Sequence, residues 1–208
     1  YKLFDVIAFA VDHQYKTEEY CCGLPVYVIE ELSEKIDKNE VGIFVPIQWN
    51  YLNRQRKEMY WRLKDAGFHF VNVIAPNAVI HSMGSIGENC WIADNVVIES
   101  NVTIGNNVFV KSKAWIGHYT TIADHCFIGA ASMVAGKVTI GEQSFIGINA
   151  MVFDGVKIGR KCLVGACTFV KRSLPDFSSI KLSSAVTEIR KYNEIDIEEK
   201  LVAAKNIR

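Results

Sequence analysis

The 208-residue sequence is short of several things at once. It has no excess of charge: 23 Lys and Arg balance 23 Asp and Glu. No whole-molecule field therefore points to nucleic acid or an anionic membrane surface as a partner. It has no apolar run near the roughly 18 residues that a membrane-spanning helix needs. The longest run close to the start, residues 6–11, lacks a basic leader and argues against a signal peptide. The 6 Cys fall at 21, 22, 90, 126, 162 and 167, with no CxxC and no zinc-finger spacing. That leaves no structural zinc motif and no disulfide framework. The expectation is a reduced, cytoplasmic protein without a metal.

What the sequence does have is a period. From Ile74 an aliphatic residue recurs at every sixth position through to Val170, and all seventeen are Ile or Val. Four places after each stands a small residue, as at Ala78, Gly84, Cys90, Ala114, Thr120, Cys126, Ser132, Ala150 and Cys162. A period of six fits neither a helix nor an ordinary strand. It fits a solenoid of short strands joined by tight corners, three hexads to a coil, so that every third hexad returns to the same side. The β-branched and the small residues point inward, where they stack between coils. Gly and Asn gather where the corners need unusual backbone angles. Cys90, Cys126 and Cys162 occupy one inward column two coils apart, roughly 10 Å at the spacing of paired strands, too far for a disulfide.

The residue before each inward Ile or Val points outward, and these fall into three columns. One is polar: Ser85, Thr103, Thr121, Thr139 and Lys157. A second is Trp91, Phe109, Phe127, Phe145 and Leu163, and a third Val79, Val97, Trp115, Met133, Met151 and Phe169. Two apolar faces on a soluble protein predict interfaces, here a homotrimer with both columns at or near its contacts. The corner carrying Glu88-Asn89, Asn106-Asn107, Asp124-His125, Glu142-Gln143 and Arg160-Lys161 reads as a plain solvent edge. Another corner turns bare along its length, through Gly129-Ala130-Ala131 and Gly147-Ile148-Asn149 to Gly165-Ala166-Cys167, with Lys171-Arg172 just beyond.

Residues 1–72 read as a small α/β unit. Strands are expected over residues 4–10 and 41–47, with a turn into a short strand at Gly23-Leu24-Pro25-Val26 and a short helix over 30–36. A longer helix over 52–66 has Leu52, Met59, Leu63 and Ala66 on its apolar face and Gly67 as its stop. Residues 73–172 are the solenoid. Residues 173–208 form a charged tail with a short helix over 195–204.

The order of α/β unit then hexapeptide solenoid resembles the left-handed β-helix sugar O-/N-acyltransferases of the bacillosamine and sialic-acid acetyltransferase type. The stretches that carry the resemblance are GLPV at 23–26, NRQRKEMYWRLKDAGF at 53–68, IGH at 116–118 and IGINAMV at 146–152. It implies a left-handed β-helix preceded by a Rossmann-like, N-terminally incomplete unit. It also implies an enzyme that moves an acetyl or related acyl group from acyl-CoA to a sugar amine or hydroxyl, the sugar being nucleotide-linked, for glycan synthesis. The chain departs from the family twice. No Gly-rich phosphate loop is visible in the N-terminal unit, and Tyr119 stands where bacillosamine-type enzymes place Glu after the catalytic His.

Acyl transfer from a thioester needs a base, an oxyanion donor and a site that holds both substrates. His118 is the candidate base, read as standing at a corner flanked by both apolar faces, and the family's catalytic His occupies this GH-containing corner. Gly136, one coil later, corresponds to the family glycine whose N–H meets the thioester carbonyl. Asp154 and Asp124 are candidate orienting acids; His125 reads as an exposed corner residue. For coenzyme A the candidates are Phe127, Gly129, Gly147, Ile148, Gly165 and Ala166, with Lys171 or Arg172 for the phosphates. Two other readings remain open: a non-catalytic assembly scaffold, and a γ-carbonic-anhydrase-like metal enzyme, which would need three His around one zinc.

Overall fold

A computed structural model describes residues 4–81 and 83–182; the helix expected over 195–204 lies outside these. The period translates directly into geometry. Each sixth-position Ile or Val closes a short strand that pairs in parallel with a strand one coil away, as Phe109 with Phe127, Trp115 with Met133, and Thr121 with Thr139. Three parallel sheets of five, six and seven strands form the sides of a prism, one for each outward column. Ile92, Ile98, Ile104, Val110, Ile116, Ile122 and Ile128 fill its axis, none more than 1% exposed.

The corners bear a conformational cost and recover it between coils. From Asn89 to Cys167 every sixth residue has a positive φ, between 50° and 68°, which for an L-residue costs about 1–2 kcal/mol. From Asn107 onward each turns its N–H onto a carbonyl of the preceding coil, as Lys113 to Asp94, His125 to Asn106 and Lys137 to His118, at 2.7–2.9 Å. Cys90 and Cys126 sit in the small inward slot, and burial pushes their thiols up to about 12. They fill the core and are not nucleophiles at neutral pH.

Strand pairing runs past residue 172. Leu163-Val164 pairs with Ser179-Ile180, and Leu174 bridges Ile158. This last coil is shorter than the others, so Ser179 arrives in register two positions before the six-residue period would place it.

The N-terminal unit is two small sheets, not one continuous sheet. β1 (Phe9–Val11) lies parallel to β3 (Leu24–Val28), and β2 (Tyr20–Cys21) closes a hairpin on β3. A short helix, α1 (Leu32–Lys35), follows. β4 (Gly42–Ile43) and β5 (His69–Phe70) form a parallel pair around α2 (Arg54–Asp65). Strands expected over 4–10 and 41–47 are thus shorter than their apolar runs. Gly67, at φ 85°, ends α2 as expected.

α2 packs Leu63 and Met59 of its expected apolar face into the N-terminal core, and buries Arg56 and Tyr60 as well, which that face did not include. It docks on the solenoid, and this overturns two expectations. The Glu88-to-Gln143 corner is not a solvent edge but the seam between the two parts. Asn89 and Asn107 are wholly buried and His125 is 1% exposed. The Trp91–Phe145 face is not free for a neighbouring subunit either. Phe44 packs on Trp91 and Phe109, and Trp49 on Phe127 and Phe145, with centroids 5.3–6.5 Å apart.

Arg56 is the pin of this seam. Its Nε donates to Asn107 Oδ1, Nη1 to the carbonyls of Ile47 and Gln48, and Nη2 to those of Asn107 and Cys126, at 3.0–3.3 Å. All five donors are used. The guanidinium also lies 4.0 Å over the Phe109 ring. Burial lowers its pKa to about 10, so it stays charged.

Candidate active site

The sheet carrying Trp115, Met133, Met151 and Phe169 remains uncovered; Met133, Met151 and Phe169 are 44–49% exposed. Its two margins carry the two groups of candidate residues.

His118 stands on one margin. This corner joins the Met133 sheet to the threonine sheet, not to both apolar faces; the corner between the two apolar faces is the bare edge. Down the His118 edge the same corner position is occupied by Gly136, then Asp154, then Arg172, each one coil further on in the register of the sheet beside it. A Cβ on Gly136 would come 2.7 Å from His118 Cε1, 2.9 Å from its Nε2 and 2.9 Å from Asp154 Oδ1. The imidazole and the carboxylate therefore both lean over Gly136. Gly136 does not have a positive φ, so it is the room above it that requires glycine. Its N–H has no acceptor among the described residues.

Glu99 was not expected here. Its Oε2 accepts the His118 backbone N–H at 2.9 Å and fixes the corner from the preceding coil. The Tyr119 ring meets the imidazole edge-on at 5.6 Å. Asp124 does not belong to the site: it lies on the seam, where its Oδ1 accepts the Asn106 N–H at 2.7 Å. His125 is buried there too, against Tyr60 and Trp61, with Nδ1 2.9 Å from Asn107 Nδ2.

The other margin is the bare edge. Ile148, Ala166 and Cys167 are exposed on it, above a shallow depression lined by Asn149, Met151, Cys167, Thr168 and Phe169. Gly129 and Gly147 are buried here. A Cβ on either would meet the backbone of the next coil at 2.5–2.6 Å, so coil spacing alone accounts for them. Phe127 is not on this edge and is not open to a cofactor; it is 4% exposed beneath Trp49. Lys171 and Arg172 also lie elsewhere, at the end of the His118 edge. The cation at the end of the bare edge is Lys181, whose Cβ lies 3.0 Å from a Cβ position on Gly165. The short last coil hides it from the period.

In the N-terminal unit a polar cleft lies where β1 ends, lined by Asp12, His13, Gln14, Glu30 and Arg62. Arg62 is ion-paired there with Asp12 and Glu30. Among the described residues no three His, Cys, Asp or Glu side chains are grouped as a metal would need, and no helix is long and apolar enough to cross a membrane.

A family model described as the GMPPB C-terminal domain matches residues 74–170. Perosamine N-acetyltransferase from Caulobacter crescentus, solved as a histidine variant with CoA and GDP-perosamine, is similar at 30% identity. The match covers 79% of this chain and 78% of that one, with a TM-score of 0.72. The chain belongs to this family, the hexapeptide-repeat sugar N-acetyltransferases of the left-handed β-helix. The fold is shared more widely. The acetyltransferase domain of PglB from Neisseria gonorrhoeae is 22% identical, covering 79% of each chain at a TM-score of 0.71. WeeI from Acinetobacter baumannii is 21% identical, covering 83% of this chain and 81% of that one at 0.73. No curated protein matches in a sequence comparison.

Proposed function

We propose that this family member transfers an acetyl group from acetyl-CoA to the amino group of a nucleotide-linked sugar, with His118 as general base. The observation that carries the proposal is the His118 imidazole turned over a glycine whose N–H is unclaimed. His118 takes the proton from the acceptor, and the acceptor attacks the thioester carbonyl. Gly136 N–H meets the developing oxyanion, and the intermediate collapses with loss of the CoA thiolate. Acetyl-CoA is a cosubstrate.

Coenzyme A is assigned to the bare edge, along Gly147, Ile148, Gly165 and Ala166, with its phosphates near Lys181. Gly129 borders this groove as part of the coil packing. One hexad of chain separates the bare edge from the His118 edge within a coil, up to about 20 Å when extended. A second copy seated on the uncovered Met133 face would bring its own bare edge toward His118, and a homotrimer satisfies this for all three sites. The polar cleft beside β1 is the place in the N-terminal unit suited to the nucleotide, at the carboxyl end of a parallel strand. Residues 1–72 would then serve as acceptor domain and the solenoid as catalytic domain. Acetyl-CoA as donor and a nucleotide sugar as acceptor suit the cytoplasm.

The test is a screen of nucleotide-linked amino sugars, GDP-perosamine among them, with acetyl-CoA and mass spectrometry of the products. A mass gain of one acetyl group on at least one acceptor is the expected result. No transfer to any of them, with acetyl-CoA binding intact, would overturn the reading.

A further inference from the structure

His118, Gly136 and Asp154 share one corner column, and Gly136 is the notch between the other two. Both His118 Nε2 and Asp154 Oδ1 lie 2.9 Å from the point where a Cβ on Gly136 would be. They are separated by no more than twice that distance. One nitrogen or oxygen atom held just outside the notch can therefore hydrogen-bond to both at once. Asp154 has no hydrogen-bond or ion-pair partner among the described residues, and its side chain is exposed. The other carboxylate at this corner, Glu99, is committed to the His118 backbone N–H.

We propose that Asp154 is a positioning and specificity residue, which holds the ammonium form of the acceptor's amino group against His118 Nε2 across the Gly136 notch. This rests on the acetyltransferase reading above and goes further, because it assigns the choice of amine over hydroxyl to one residue. A free carboxylate binds an ammonium group through a charge-assisted hydrogen bond; to a neutral hydroxyl it offers only a weaker one. The ammonium passes one proton through His118 to solvent, and the free amine attacks the thioester carbonyl. A C–N bond forms and the C–S bond breaks. The second amine proton passes to His118 and from it to the departing CoA sulfur. The other titratable groups along this edge are His81, Glu99, Tyr119, Lys137, Lys171 and Arg172. Glu99 is held on backbone, and none of the cations is ion-paired with Asp154.

The experiment compares wild type with Asp154→Asn and Asp154→Glu on the nucleotide-linked amino sugar turned over in the screen. An analogue carrying hydroxyl in place of the amine serves as a binding probe. For Asp154→Asn the KM of the amino sugar should rise about 10- to 100-fold, with the KM of acetyl-CoA and the melting temperature unchanged. Calorimetry should show the wild type preferring the amine over the hydroxyl analogue and Asp154→Asn binding the two alike. Asp154→Glu should recover part of the preference. An Asn variant that keeps both its KM and its amine preference overturns the assignment while leaving the acetyltransferase intact. A wild type that acetylates nothing overturns the function and this assignment with it.

Discussion

The solenoid and the N-terminal unit are stabilised in different ways. In the solenoid each coil repeats the contacts of the last, so stability is spread along the axis from Ile92 to Val170. The N-terminal unit has a small core of its own, with Leu32, Val45, Leu63 and Phe68 at its centre. It relies on the seam: Arg56 among carbonyls, the amide chain from Val45 N–H through Asn89 and Asn107 to His125, and the ion pair of Lys57 with Glu142. The contrast explains why one prism has two apolar faces. One is covered by the chain's own N-terminal unit; the other, with Met133, Met151 and Phe169, is uncovered.

The sharpest way to break this contrast is Arg56→Ala. It strips the donors from five hydrogen bonds, three of them buried, and leaves a hole on Phe109. Removing such a buried, fully bonded charge should cost the docked state about 3–5 kcal/mol. The expected readout is fast proteolysis and hydrogen exchange confined to residues 4–72, with the solenoid still protected. If coils around Ile116 and Ile140 lose protection to the same extent, the two parts are one cooperative unit and the contrast fails.

A smaller effect comes from acid. Burial, helped by the Lys57 charge, lowers the His125 pKa to about 4. The unfolded chain takes up this proton below about 6.5 and the folded one only below about 4. The stability conferred by neutral His125 is therefore complete above pH 6.5 and lost as pH falls toward 4, up to about 3 kcal/mol. Glu142 acts in the same direction. The Lys57 hydrogen bond, against burial, holds its carboxyl below the usual range, and this support is lost as pH falls through that lowered value. N-terminal exchange should rise between pH 6.5 and 4.5 in wild type and much less in His125→Gln. A seam indifferent to pH over this window would contradict its dependence on a neutral imidazole.

The two parts were not equally legible. Periodicity located the inward residues, the three outward columns and the corner shared by His118, Gly136 and Asp154, because each coil repeats the same geometry. It could not report which face the first domain covers. Asn89, Asn107, His125 and Gln143 are polar, as an exposed corner would be, yet all are buried. A signal was present: these four positions hold neutral amides and an imidazole, whereas the uncovered corner of the next coil holds Lys161. α2 was misread for a related reason, since counting apolar residues overlooks a buried Arg. Lys181 was missed because the last coil is cut short, which pairs Leu163 with Ser179 and shifts the column by two. Placing Lys171 beside the bare edge, and His118 between both apolar faces, assigned residues to the wrong corner of the prism.

Single-turnover and steady-state kinetics of His118→Ala with the acceptor found in the screen, alongside calorimetry with acetyl-CoA, test whether this imidazole is the base. His118 is exposed at a corner whose backbone is held by Glu99, and its carbonyl accepts the Lys137 N–H. The variant should therefore keep its fold, its assembly and its acetyl-CoA affinity. Its kcat should fall about 10²–10⁴-fold. A folded His118→Ala protein that binds acetyl-CoA and retains near-wild-type kcat would contradict the assignment of this imidazole as the base.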